Sequence, residues 1–272
     1  MPENNNHKVR LKNKMNRPEL IFMIDTARGA GEIVRQLYGQ DHQVEHKGVI
    51  DLVTEADKRS EAYIIDRILT QFPDHGIMAE ESGEQRLDNG QRWYIDPLDG
   101  TNNYAHDLPI FCVSIAYAEN GRVEMGVIYD PMQDECFYAE RGKGCFLNGR
   151  QLKISKTTDL IESMLVTGFP YNIQSTSNTN LENFAKFAML TQGVRRLGSA
   201  ALDIAYVAAG RFDGYWEIGI KPWDIAAGTV MVEEAGGLIT DLQGNPDYMK
   251  PPYAILTANP ELHAKMLQVL NS

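Results

Sequence analysis

The chain is short of cysteine, with three in 272 residues and no C-x-x-C spacing. A disulfide framework or a thiolate zinc site is therefore not expected. Cys112 and Cys136 fall in strand-like runs and read as small core residues. No apolar run reaches about 18 residues, and no apolar segment follows the basic N-terminus, so neither a membrane span nor a secretory leader is expected. The compartment expected is the cytoplasm. Basic excess is missing too. The net charge is -11, which disfavours nonspecific nucleic-acid binding. G-x-x-x-x-G-K-[ST], G-x-G-x-x-G and G-x-S-x-G are all absent, which argues against a nucleotide P-loop, a dinucleotide fold and a hydrolase elbow. His42, His46, His75 and His106 show no metal-binding spacing.

What is present is ordinary globular composition, 43% hydrophobic and 23% charged. Residues 1–18 carry five cations and one acid, with few apolar positions, and read as a disordered tail. Residues 19–272 read as one catalytic unit in two halves. In 19–150, a helix from Glu19 carries Leu20, Ile24, Ala27, Val34 and Leu37 near one face. Residues 41–50, with Lys47, read as a loop or loose hairpin. A second helix starts at Thr54, with Asp57 in a capping-box position and a core face of Ile65, Ile68, Leu69 and Phe72. Strands follow at 76–79, near Trp93, and at 111–118, 123–129 and 135–139, with Asn120-Gly121 as a hairpin turn. In 151–272 strands and helices alternate, as in an α/β layer. Ser199 is placed to cap the helix that follows it.

Candidate chemistry centres on Ile95-Asp96-Pro97-Leu98-Asp99-Gly100-Thr101. Pro97 has no N–H for a ladder, so the strand is expected to stop there. Gly100 permits a tight turn, and free amides after it attract anions. Asp96 and Asp99, Glu80-Glu81, and Asp224 each sit where a strand hands over to a loop or helix. Each alone could be a solvated turn acid. Together they suit hard divalent cations, because converging carboxylates otherwise raise one another's pKa. Two cations about 3.5–4 Å apart make a phosphoryl clamp. Asp51, before a helix, reads as a base or orienting group, with Thr101 as a hydroxyl relay.

These segments resemble the inositol monophosphatase family, bacterial type, within the magnesium-dependent, lithium-sensitive phosphatase superfamily. The likeness rests on DLVTEAD (51–57), AEESG (79–83), WYIDPLDGTNNY (93–104), RRLGSAALDIAYVAAGRFDGYWE (195–217) and KPWDIAAG (221–228). It implies an alternating αβαβα layered sandwich. It also implies Mg²⁺-dependent hydrolysis of a phosphomonoester by an activated water, with two or three ions per site. The metal ligands it implies are Glu80, Asp96, the carbonyl of Leu98, Asp99 and Asp224. Water activation falls to Thr101 and Asp51, and phosphate binding to Gly100 and Thr101. Polyol contacts fall to Asp99, Gly198, Ser199, Ala200, Glu217 and Asp224, with Glu81 behind the ligands. The substrate expected is a small phosphorylated polyol, myo-inositol 1-phosphate first, and the assembly a homodimer, with no membrane or nucleic-acid partner. Two other readings stay open here. One is a broad phosphatase of sugar phosphates, fructose 1,6-bisphosphate or NADP(H). The other is a non-catalytic protein-binding or RNA-machinery partner.

Overall fold

The computed structural model describes residues 17–40, 45–46, 52–85 and 90–272. Residues 1–16, Lys47 and Asp51 lie outside the described residues. Arg17 belongs to the folded body, pairing with Glu124 and Glu140 at 3.5 and 3.7 Å.

Helix α1 (Leu20–Leu37) buries Phe22, Met23, Thr26, Ala27, Ala30, Gly31 and Val34. The expected Leu20, Ile24 and Leu37 flank that stripe half-buried. Strands β1 (Glu45–His46) and β2 (Leu52–Val53) pair antiparallel, the loose hairpin expected of this region. Helix α2 (Glu55–Gln71) starts as its sequence predicts: the Asp57 carboxylate accepts Thr54 N at 2.8 Å, and Thr54 Oγ1 accepts Ala56 N. Its buried face includes Ile64 and Ile68, with Ile65 and Leu69 half-buried beside them.

Both helices cover one face of an eight-stranded sheet ordered β10-β9-β8-β7-β6-β5-β3-β4. Its strands are β3 (Gly76–Ala79), β4 (Gly83–Gln85), β5 (Gln91–Asp99), β6 (Cys112–Glu119), β7 (Arg122–Asp130), β8 (Glu135–Glu140), β9 (Gly144–Leu147) and β10 (Arg150–Gln151). Only β3 and β5 run parallel. The Asn120-Gly121 turn joins β6 to β7, both residues at positive φ, as a primed hairpin turn requires. A short helix, α3 (Thr101–Ala105), follows β5.

The second half holds a five-stranded sheet, β12-β11-β13-β15-β14, built from β11 (Met164–Thr167), β12 (Gly193–Arg195), β13 (Gly214–Ile218), β14 (Leu238–Thr240) and β15 (Ala254–Ala258). Helices α5 (Ala200–Ala208) and α6 (Pro222–Glu234) lie between the two sheets, and their apolar residues join Ala116 and Ile128 on one side to Tyr215 and Ile255 on the other. This central position explains why both helices are apolar nearly all round. Helices α4 (Leu181–Leu190) and α7 (Pro260–Leu270) close the outer face through Phe187, Trp216, Leu262 and Met266. The stacking is therefore α-β-α-β-α, as expected. Among the described residues no helix is long and apolar enough to cross a membrane.

Candidate active site

Strand β5 does not stop at Pro97. It runs on to Asp99, but its register against β6 shifts between Asp96 and Asp99. The missing proline N–H interrupts the ladder without ending it, and the irregularity has a chemical use. In a regular strand, residues three apart face opposite sides. A bulge re-aims one of them, and both Asp96 and Asp99 line the same cleft. Asp96 Oδ1 accepts Leu98 N at 3.0 Å, and the Pro97 carbonyl accepts Ser60 Oγ at 2.8 Å, so the irregular backbone is held on both sides. Gly100 then takes φ +100°, and a Cβ there would come 2.8 Å from the Ile110 carbonyl.

Two chambers meet at these residues. The smaller, about 220 Å³, is lined by Glu80, Asp96, Leu98, Asp99, Gly100, Thr101 and Asp224, together with Tyr171, Lys221 and Trp223. The larger, about 450 Å³, takes in Gly198, Ser199, Ala200 and Glu217, and shares Asp99, Asp224 and Tyr171 with the first. Every expected metal, phosphate and polyol residue therefore lies on one of two joined chambers. Asp51 is outside the described residues. Glu81 lies just behind: its N–H donates to Glu61 Oε2 at 2.9 Å and that of Ser82 to Glu61 Oε1 at 3.0 Å, which fixes the turn carrying Glu80.

Asp99 joins the two halves. Its Oδ2 accepts Ser199 Oγ at 2.6 Å and Ala201 N at 2.7 Å. Ser199 precedes α5 as expected, but its hydroxyl does not cap that helix; Asp99 of the other half supplies the cap instead. Asp224, in the first turn of α6, accepts Lys221 N at 2.8 Å. Tyr215 Oη donates to Glu217 Oε2 at 2.6 Å.

The electrostatics follow from this crowding. Burial, then the charges of Glu80, Asp99 and Asp224, push Asp96 well above the usual carboxylate range. Burial, then Asp99 and Glu80, do the same to Asp224. Asp99 is also raised by burial, although the donors of Ser199 and α5 pull it back. Glu217 is pushed up to about 7, chiefly by burial. Among the described residues no Lys or Arg forms an ion pair with Asp96, Asp99 or Asp224. Among the described residues no group of three or more His, Cys, Asp or Glu side chains is arranged, as it stands, to hold a metal ion. The donor set is nonetheless all oxygen and crowded, which fits a hard divalent cation.

Sequence reasoning missed one role. Thr101 Oγ1 donates at 3.0 Å to Asp57 Oδ1 and lies equally close to the Leu98 carbonyl. Asp57 is fully buried, and its other oxygen accepts from Thr54. The aspartate that touches the Thr101 hydroxyl is thus the helix-capping one. The residue stands in DLVTEAD, but local chemistry accounts for Asp57 fully as a cap, and its contact with Thr101 joins positions 44 apart.

The inositol monophosphatase family profile matches residues 15–272. The Nus factor SuhB of Salmonella typhimurium is 46% identical over 253 residues, spanning 92% of this chain and 94% of its own. The inositol-1-monophosphatase of Synechocystis is 46% identical over 243 residues, covering 89% of this chain and 84% of its own. The solved inositol monophosphatase of Anabaena superposes with a TM-score of 0.84 at 45% identity, over 93% of this chain and 94% of that one. Five layers with a carboxylate-walled cleft at their seam define a layered phosphatase. The chain belongs to the inositol monophosphatase family and is a phosphatase of the inositol-phosphate type.

Proposed function

We propose that this chain hydrolyses myo-inositol 1-phosphate, or a close polyol monoester, to the free alcohol and phosphate with Mg²⁺ as cofactor. The carrying observation is the meeting of Glu80, Asp96, Asp99 and Asp224 beside Gly100 and the Thr101–Asp57 pair. Two or three Mg²⁺ ions on Glu80, Asp96, the Leu98 carbonyl, Asp99 and Asp224 would neutralise the cluster and polarise the ester phosphate when bound. The Gly100 and Thr101 amides are offered to phosphate oxygens. Thr101 Oγ1 takes a proton from the attacking water while passing its own to Asp57 Oδ1. A new P–O bond forms, the ester P–O bond breaks, and the leaving alkoxide is protonated from solvent. Gly198, Ser199, Ala200 and Glu217, with Asp99 and Asp224, form the wall met by the polyol. The active form is a homodimer in the cytoplasm.

The test is phosphate release from a panel of monoesters, including sugar phosphates, fructose 1,6-bisphosphate and NADP. It is run with Mg²⁺, after chelation and with added Li⁺. Preference for inositol phosphate, abolished by chelator and inhibited by Li⁺, is expected. Equal rates across the panel would favour the broad phosphatase. The Nus factor name of close relatives favours a second, non-catalytic role beside the first. A variant without phosphatase activity that still supports that role would separate the two.

A further inference from the structure

Helix α5 is apolar apart from one acid, Asp203, whose residue is only 1% exposed. Its Oδ1 is buried and has no hydrogen-bond partner among the described residues. Buried carboxylate oxygens in folded chains nearly always have a donor. An apolar side chain at this place would suit the surrounding core better. Asp203 lines the larger chamber and not the smaller one, so it faces the space beyond the phosphate end.

Its surroundings narrow the ligand class. Glu217 is across the chamber, already committed through Oε2 to Tyr215 and lying so close to Gly168 that a Cβ there would come within 2.2 Å of it. Burial, then Glu217 and Asp99, raise the Asp203 pKa well above its ordinary value, while Arg196 at the chamber wall opposes this. An apolar group on the ligand would leave this buried carboxyl without a partner. A neutral group with an O–H to donate would be welcomed. The alcohol half of a polyol ester is such a group.

We propose that Asp203 is a specificity-determining residue: its carboxyl group, which lines the larger chamber with one oxygen left unpartnered in the core, bonds a hydroxyl of the alcohol half of the ester, and so selects polyhydroxylated leaving groups over aryl or alkyl ones. This rests on the phosphatase reading above.

The experiment compares kcat/KM for myo-inositol 1-phosphate and 4-nitrophenyl phosphate, with Mg²⁺, in the wild type, Asp203→Leu and Asp203→Asn. The readout is the ratio of the two substrates. A lost hydrogen bond to this carboxyl is worth up to about tenfold. The ratio should fall by about that factor in Asp203→Leu, and by less in Asp203→Asn, whose amide oxygen still accepts. The thermal midpoint of Asp203→Leu should not fall, because the orphaned acid stabilises nothing in the free protein. Equal losses on both esters, or an unchanged ratio, would overturn the proposal. Should Asp203→Leu fail to fold, the acid is a structural anchor and the proposal also falls, unless Asp203→Asn shifts the ratio with an unchanged midpoint. A wild type that hydrolyses neither ester refutes the phosphatase reading itself. A wild type with no preference between them refutes only the role given to Asp203.

Discussion

Replacing Thr101 by Val removes one hydroxyl and keeps the shape of the side chain. Two acceptors lose a donor shared between them, Asp57 Oδ1 and the Leu98 carbonyl, both at 3.0 Å. Asp57 keeps its two bonds from Thr54, so the folded state should lose only about 1–3 kcal/mol. For a chain of this size each kcal/mol moves the thermal midpoint by roughly 2–4 °C, and the variant stays folded at 25 °C. The chemical loss should be larger. A positioned acid–base group contributes about 10²–10⁴-fold, or about 3–5 kcal/mol of barrier. The expected result is a kcat lower by that factor, a KM within about threefold of wild type and a nearly intact melting curve. Thr101→Ser keeps the hydroxyl and should recover most of the rate. The assay is phosphate release at saturating Mg²⁺ with a parallel thermal melt. A Thr101→Val enzyme working within threefold of the wild-type rate would show that the relay does not exist.

Gly100→Ala forces a Cβ onto a backbone at φ +100°, 2.8 Å from the Ile110 carbonyl, and should cost at least about 2 kcal/mol of unfolding free energy, read by denaturant titration; a neutral change would contradict the geometry. Ser199→Ala deletes the 2.6 Å donor to Asp99 and should cost about 1.5–3 kcal/mol; a loss below about 0.5 kcal/mol would mean that the bond contributes little. The pH response of the chelated protein has a definite sign. Asp96, Asp224 and Glu217 have raised folded pKa values, so they favour the folded state fully below their unfolded values and lose that contribution as pH rises through the folded ones. For Glu217 the window runs from 4.5 to about 7. The thermal midpoint without divalent cation should therefore fall between pH 5 and 8, and the gain on adding Mg²⁺ should grow over the same range. A flat profile in chelator would remove the crowding argument.

Much of this architecture was legible in one sequence because its signals are local. Strands at Gly76–Ala79 and Met164–Thr167, the Asn120-Gly121 turn and the Thr54–Asp57 capping box depend on neighbours a few positions apart. The site acids were legible because they stand at element ends in a recognisable order. What stayed hidden depends on partners distant in the chain. Pro97 ends no strand because Asp96 and Ser60 hold the interrupted backbone in place. Ser199 does not cap its helix because Asp99, a hundred residues earlier, takes both its hydroxyl and the helix amide. The apolar face of α2 sits one position from its expected place because Ser60 and Glu61 are turned inward to serve the loops around the site.

The grip of Asp99 on α5 means that the catalytic pocket is also a clasp. The side chain proposed to receive a cation is at the same time the latch between the N-terminal and C-terminal portions. An ion that withdrew Asp99 from Ala201 would therefore loosen the molecule along its waist.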